Sequence, residues 1–167
     1  MGYHEHKEKS PRNVSCAIFT ISDTRMEETD ESGRLLRERL TQNGHSVIQY
    51  SILKNDANDI RQKIQDLLRQ YAVQVIITSG GTGLSRRDIT VETVLPMLEK
   101  KLDGFGELFR FLTFQELGTA SIMSRAMAGA VRGKVIICIP GSLGAVRLAI
   151  DKIILPEIGH MVREATR

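Results

Sequence analysis

The chain has 167 residues, and its 23 basic and 20 acidic side chains leave a formal net charge of +3, a mixed surface that excludes a polycationic nucleic-acid binder but suits small anions. No apolar stretch approaches the ~20 residues of a membrane span, and the polar first dozen residues lack the apolar core of a signal peptide, so no membrane partner is expected. The two cysteines, Cys16 and Cys138, sit in β-branched apolar runs, where buried thiols in a reducing cytoplasm are expected rather than a disulfide or metal ligands.

Residues 1–12, with His4 and His6, read as a tail without a metal site, and 13–167 as one domain. Val14 to Ile21 is a β-rich run, and Leu35, Leu36 and Leu40 mark a helix behind Asp30-Glu-Ser-Gly, whose side chains suit an N-terminus. A second strand is predicted over Ser46 to Leu53. The helix after it is marked by Ile60, Ile64, Leu67, Leu68 and Tyr71, with Asp56 and Asn58 as capping candidates. Val73 to Thr78 is the third strand; beyond a glycine-rich loop, Val91, Val94, Leu95, Leu98 and Leu102 form a helical stripe, bent or restarted at Pro96. Gly104 to Gly129 is less regular, with a short aromatic segment over Phe105 to Phe114 and then a helix holding Met123, Ala126 and Met127. Lys134 to Ile139 is the final strand, Val146, Ala149, Ile150, Ile153 and Ile154 line one helical face, and a short helix closes the chain.

Strands alternating with helices predict an α/β fold, a three-layer α/β/α arrangement around a mostly parallel sheet. Ligands of such sheets bind beyond the carboxyl ends of the strands. Four loops therefore matter: Ser22-Asp23-Thr24, Lys54-Asn55-Asp56, the glycine loop, and Pro140-Gly141-Ser142.

The glycine loop reads Ser79-Gly80-Gly81-Thr82-Gly83-Leu84-Ser85-Arg86-Arg87-Asp88. Glycines let backbone N–H groups approach an anion without a Cβ in the way, and the arginines and aspartate add phosphate and metal chemistry. An ordinary turn between strand and helix is the plainer alternative. The loop lacks the Gly-Lys-Ser/Thr ending of a P-loop, and its spacing does not fit the dinucleotide fingerprint.

Four ordered motifs carry a resemblance: this loop continued through Ile89-Thr90, Gly104-Phe-Gly-Glu-Leu-Phe-Arg110, Ser124-Arg125-Ala126, and Pro140-Gly141-Ser142. Together they resemble the molybdopterin-binding family of molybdenum cofactor biosynthesis, the group of the MogA and MoaB proteins and the G domain of gephyrin, most nearly its MoaB branch. The resemblance implies molybdopterin and Mg-ATP as substrates, with adenylyl transfer to the molybdopterin phosphate and release of pyrophosphate, or a binder or carrier of the pterin without turnover. It implies Asp88 and Asp56 as catalytic candidates and Mg²⁺ ligands; a helix cap is the alternative for each, and a one-residue shift would put Asn55 in the place of Asp56. Ser22, Asp23, Thr24, Ser79, Gly80, Gly81, Thr82, Gly83, Arg87, Ser124, Arg125, Pro140, Gly141 and Ser142 are the implied substrate or phosphate contacts. For Arg125 a surface salt bridge competes. Glu107 and Phe109 are expected to be structural or to contact a subunit, and Arg110 is a further pocket candidate.

Val91, Asp103 and Leu143 stand where relatives often have proline; Leu143 follows a presumed pocket loop. A homotrimer or homohexamer is also implied; the apolar segments Gly104 to Phe114 and Ile153 to Met161 would supply its contacts, with the core of a monomer as the alternative use of the same residues.

Overall fold

A computed structural model describes residues 9–167. His4, His6 and the rest of 1–8 lie outside the described residues. Six strands form one sheet in the order β2-β1-β3-β6-β5-β4, comprising β1 (Ser15–Ile21), β2 (Ser46–Leu53), β3 (Val75–Ser79), β4 (Lys100–Lys101), β5 (Met127–Val131) and β6 (Lys134–Ile139). The first four in that order are parallel, and β5 and β4 join antiparallel.

Successive strand side chains point to opposite faces, and here both faces are apolar. Cys16, Ile18, Val75, Ile77, Val135 and Ile137 enter one core, while Ala17, Phe19, Ile76, Ile136 and Cys138 enter the other. The first core is closed by α1 (Glu31–Gln42), α4 (Asp103–Leu117), α5 (Leu143–Ala149) and α6 (Leu155–Ala165), the last two joined by a π turn over Ile150–Ile154. The second is closed by α2 (Ala57–Leu68) and by Val94 of α3 (Thr90–Val94). This is the expected three-layer architecture. Burial pushes both thiols, Cys16 and Cys138, up to about 12, as inert core groups.

The helix starts follow their caps. Asp30 accepts from the Gly33 amide at the head of α1, and Asp56 accepts from the amides of Asn58 and Asp59 at the head of α2. Tyr71 does not belong to the α2 stripe: the helix ends at Leu68 and Tyr71 is fully exposed.

Three expectations between Thr90 and Val131 are corrected. The stripe to Leu102 is a helix only as far as Val94, followed by a 3-10 turn at Leu95–Met97 and then β4, because Pro96 cannot donate to the helical ladder. The Phe105 to Phe114 segment is not irregular but part of the 15-residue α4, whose Phe105 and Phe109 stack one turn apart into the core. Met123 ends a 3-10 turn, Ala126 links it to β5, and Met127 begins that strand, so no helix holds the three. The β5–β6 hairpin turns through Arg132 and Gly133 at φ 50° and 71°, the two positive values that a two-residue turn between twisted strands requires.

Candidate functional site

The loops after β1, β2, β3 and β6 meet at one rim. Gly80 donates to the Ile139 carbonyl at 2.9 Å, and Ser22 donates to the Leu53 carbonyl at 2.8 Å, tying adjacent strand ends together. The glycines are sterically dictated. Gly80 has φ 106° and a Cβ there would collide with the Ile21 carbonyl oxygen; Gly81 has φ 66° and its Cβ would stand 2.8 Å from Asn55 Oδ1.

The glycine loop separates its donors from its acceptors. Thr90 Oγ1 donates to the Gly80 carbonyl at 2.9 Å, the Thr90 amide donates to the Gly81 carbonyl at 2.9 Å, and Arg125 Nε donates to the Thr82 carbonyl at 2.9 Å. Three consecutive carbonyls are thus held by the protein. The amides of Gly81, Thr82 and Gly83 donate to no acceptor among the described residues. Successive free N–H groups of this kind form an anion-binding concavity.

These residues line a cavity of about 520 Å³. Its wall includes Ser22, Gly80 to Gly83, Asp88, Ser124, Pro140, Gly141 and Ser142, all predicted from sequence. Ser79 lies buried beneath it. The remaining wall is largely apolar, from Ile21, Phe109, Leu117, Met123 and Leu148, with Thr113 and Glu116 on α4. A polar anion cradle thus abuts a surface suited to a ring system.

Several expected contacts lie elsewhere. Asp23 and Thr24 are exposed outside the wall. Asp23 Oδ1 accepts from the Asn55 amide at 2.9 Å, and this bond foremost holds the Asp23 carboxyl below its ordinary value. Its work is to join the β1 and β2 loops. Arg87 is exposed, with its amide donating to Ser85 Oγ at 3.3 Å, and its side chain is not in the wall. Asp56 is also absent from the wall: Oδ1 is occupied by the Asn58 and Asp59 amides at 2.8 and 3.0 Å, so capping, not the cavity, claims this carboxylate. Asn55 is the residue that faces the glycine loop. Neither Leu143, half-buried at the start of α5, nor Arg110 enters the wall.

Asp88 does not cap α3. The cap position belongs to Ile89, and Asp88 Oδ2 instead accepts from the Ser85 amide at 3.0 Å, closing the loop on itself and leaving Oδ1 without a hydrogen bond, in a residue that lines the wall. Among the described residues there is no group of three or more His, Cys, Asp or Glu able to hold a metal ion. A Mg²⁺ fits Asp88 nonetheless, because this ion is commonly held by one or two carboxylates plus substrate phosphates and water. Asp56 does not fit.

Arg125 is not in the wall either, and of its two readings the structure shows the salt bridge. Besides holding Thr82, it forms a two-pronged bridge to Glu92 at 2.7 and 2.8 Å, and that bridge foremost lowers the Glu92 pKa and raises that of Arg125. Arg25 was missed by sequence reading although it lines the cavity. The only signal was a basic residue three positions beyond Ser22.

The fold and rim define an α/β domain with a candidate ligand cavity beyond the carboxyl ends of the parallel strands. Residues 17–160 match the family described as "Probable molybdopterin binding domain". The chain belongs to this family. It is 47% identical over 168 residues to molybdenum cofactor biosynthesis protein B of Bacillus cereus, covering 100% of this chain and 99% of that protein, and 41% identical over 165 residues to the protein of the same name in Bacillus subtilis, covering 98% and 97%. A crystal structure of a molybdenum cofactor biosynthesis protein B is 47% identical, with a TM-score of 0.90 over 94% of this chain and 98% of that one. The tungsten cofactor synthesizing protein MoaB of Pyrococcus furiosus is 33% identical, with a TM-score of 0.85 over 95% and 100%. None of the described helices is long and apolar enough to cross a membrane.

Proposed function

We propose that this protein acts in molybdenum cofactor biosynthesis by binding molybdopterin in the glycine-loop cavity and adenylylating it with Mg-ATP. One observation carries the reading: the carbonyls of Gly80, Gly81 and Thr82 are taken by protein donors, while the amides of Gly81, Thr82 and Gly83, residues that line the wall, meet no acceptor among the described residues. Such a surface discriminates for anions by geometry rather than by net charge. In the reaction a phosphate oxygen of molybdopterin forms a bond to the α-phosphorus of ATP as the α–β bridging P–O bond breaks, and pyrophosphate leaves with that bond's electrons. The loop amides orient one anion, and the apolar wall of Phe109, Leu117 and Met123 takes the ring system and excludes water. Asp88 would hold Mg²⁺, which when bound neutralises phosphate charge.

The neutral Asn55 beside the loop favours a second reading, a molybdopterin binder or carrier without turnover. Purified protein is incubated with molybdopterin and Mg-ATP, and pyrophosphate and adenylated pterin are followed. Both products support the transferase; tight pterin binding without them supports the carrier; no pterin binding overturns both.

The cytoplasm is the proposed location and a homotrimer or homohexamer the proposed state. A groove of about 620 Å³ brings Gly104, Phe105 and Leu108 of α4 beside Ile153 and Met161, so the two segments expected at a subunit contact adjoin. Sedimentation equilibrium tests it, and a monomer at micromolar concentration overturns it.

A further inference from the structure

Arg25 enters the cavity wall from the loop after β1, yet its guanidinium is already engaged. One terminal nitrogen donates to Asp30 Oδ1 at 3.3 Å and the other to the Gly141 carbonyl at 3.1 Å. Ser32 Oγ donates to the same carbonyl at 2.9 Å. A carbonyl oxygen offers two lone pairs, so that of Gly141 is saturated. Behind the arginine, the Asp30 side chain is wholly buried and also accepts from the Gly33 amide at 3.0 Å and from the Tyr50 hydroxyl at 2.6 Å. Arg25 is therefore anchored on a carboxylate that cannot swing away. Gly141 in turn presses on the glycine loop, since a Cβ there would stand 3.1 Å from Gly80 Cα.

We propose that Arg25 is the positioning residue of the Gly141–Ser142 peptide, with Ser32 as its second donor: the pair keeps the Gly141 oxygen from the anionic ligand and leaves the Ser142 amide to meet it. The proposal rests on the anion-binding reading of the cavity. A trans peptide points its oxygen and the following N–H in opposite directions, and the described residues contain no cis bond. The Ser142 amide donates to no acceptor among the described residues. Released from its donors, this peptide could rotate and turn the negative end of its dipole toward a phosphate. The same device appears across the cavity, where Thr90 and Arg125 occupy the glycine-loop carbonyls.

A direct ion pair between Arg25 and the ligand is the rival role, and Ser32 separates the two. It is uncharged, buried and outside the wall, so only the positioning role makes it matter to affinity. The wild type, Arg25→Lys, Arg25→Ala, Ser32→Ala and the Arg25→Ala/Ser32→Ala double variant are titrated with inorganic pyrophosphate, and the ¹⁵N–¹H resonance of the Ser142 amide is followed. Expected are a Ser142 shift in the wild type, roughly fivefold weaker binding in Ser32→Ala, roughly tenfold or more in Arg25→Ala, and a double variant weaker than Arg25→Ala by much less than fivefold, because both donors serve one oxygen. Arg25→Lys keeps the charge but not the fork, so it recovers only part of the loss; it carries the test if Ser32→Ala does not fold. An unmoved Ser142 amide, native affinity in Ser32→Ala or Arg25→Lys, or losses that multiply would overturn the proposal. Pyrophosphate binding at Ser142 without any molybdopterin binding would sink the proposed function and leave the positioning role standing.

Discussion

Two arginines hold the two sides of the cavity, and they differ in what holds them. On the glycine-loop side, Arg125 grips Thr82 and is secured by Glu92, whose side chain is 54% exposed; on the Gly141 side, Arg25 is secured by Asp30, whose side chain is 0% exposed. An exposed carboxylate is screened by water and its pair contributes little, whereas removing a buried carboxylate strands the groups that donate to it. Equal roles in shaping the rim therefore come with unequal consequences for the fold.

The largest effect is expected where the two sides are least alike, at Asp88, the carboxylate of the glycine-loop side. Asp88→Ala should lower turnover by about a hundredfold or more while pterin binding persists in equilibrium dialysis; loss of both together would make the residue structural. Next comes Asp30→Ala, which leaves the Tyr50 hydroxyl and the Gly33 amide without their acceptor and Arg25 with only the Gly141 carbonyl and should cost about 3 kcal/mol in urea unfolding. Gly80→Ala meets the Ile21 carbonyl at a positive φ and should cost about 2 kcal/mol, with ligand affinity falling alongside. Arg125→Ala should cost at most about 1 kcal/mol of stability, and a cost equal to that of Asp30→Ala would erase the contrast between the sides.

Acid titration sharpens the contrast further. Burial works to raise the Asp30 carboxyl, but the donors around it prevail and hold it below its ordinary value. A group lowered in the folded state adds stability that is complete above its unfolded pKa, about 3.9 for aspartate, and is lost as pH falls toward the folded value. Melting temperatures measured from pH 6 to pH 3 should therefore drop below about pH 4, and Asp30→Asn should flatten that drop.

The parallel half of the sheet was legible because its signals are local. Ser46 to Leu53 and Lys134 to Ile139 were placed with the observed bounds, and the rim loops followed from the order of strands. The antiparallel half was not, since Met127-Ala-Gly-Ala-Val reads equally as helix or strand until β6 pairs with it. Its available clue was Arg132-Gly133, a two-residue turn ending in glycine. At the site, the glycines announced themselves by spacing. Arg25 did not, because its meaning depends on Gly141, 116 residues away along the chain. Likewise, only the fold decides which of Asn55 and Asp56 turns toward Gly81 and which caps α2.

The sheet's last strand, β4, is only Lys100 and Lys101, and both are exposed. So short a border, bearing two ammonium groups, gives a passing extended chain almost no ladder to join and adds repulsion between like copies. At this end the fold is guarded against strand-by-strand polymerisation.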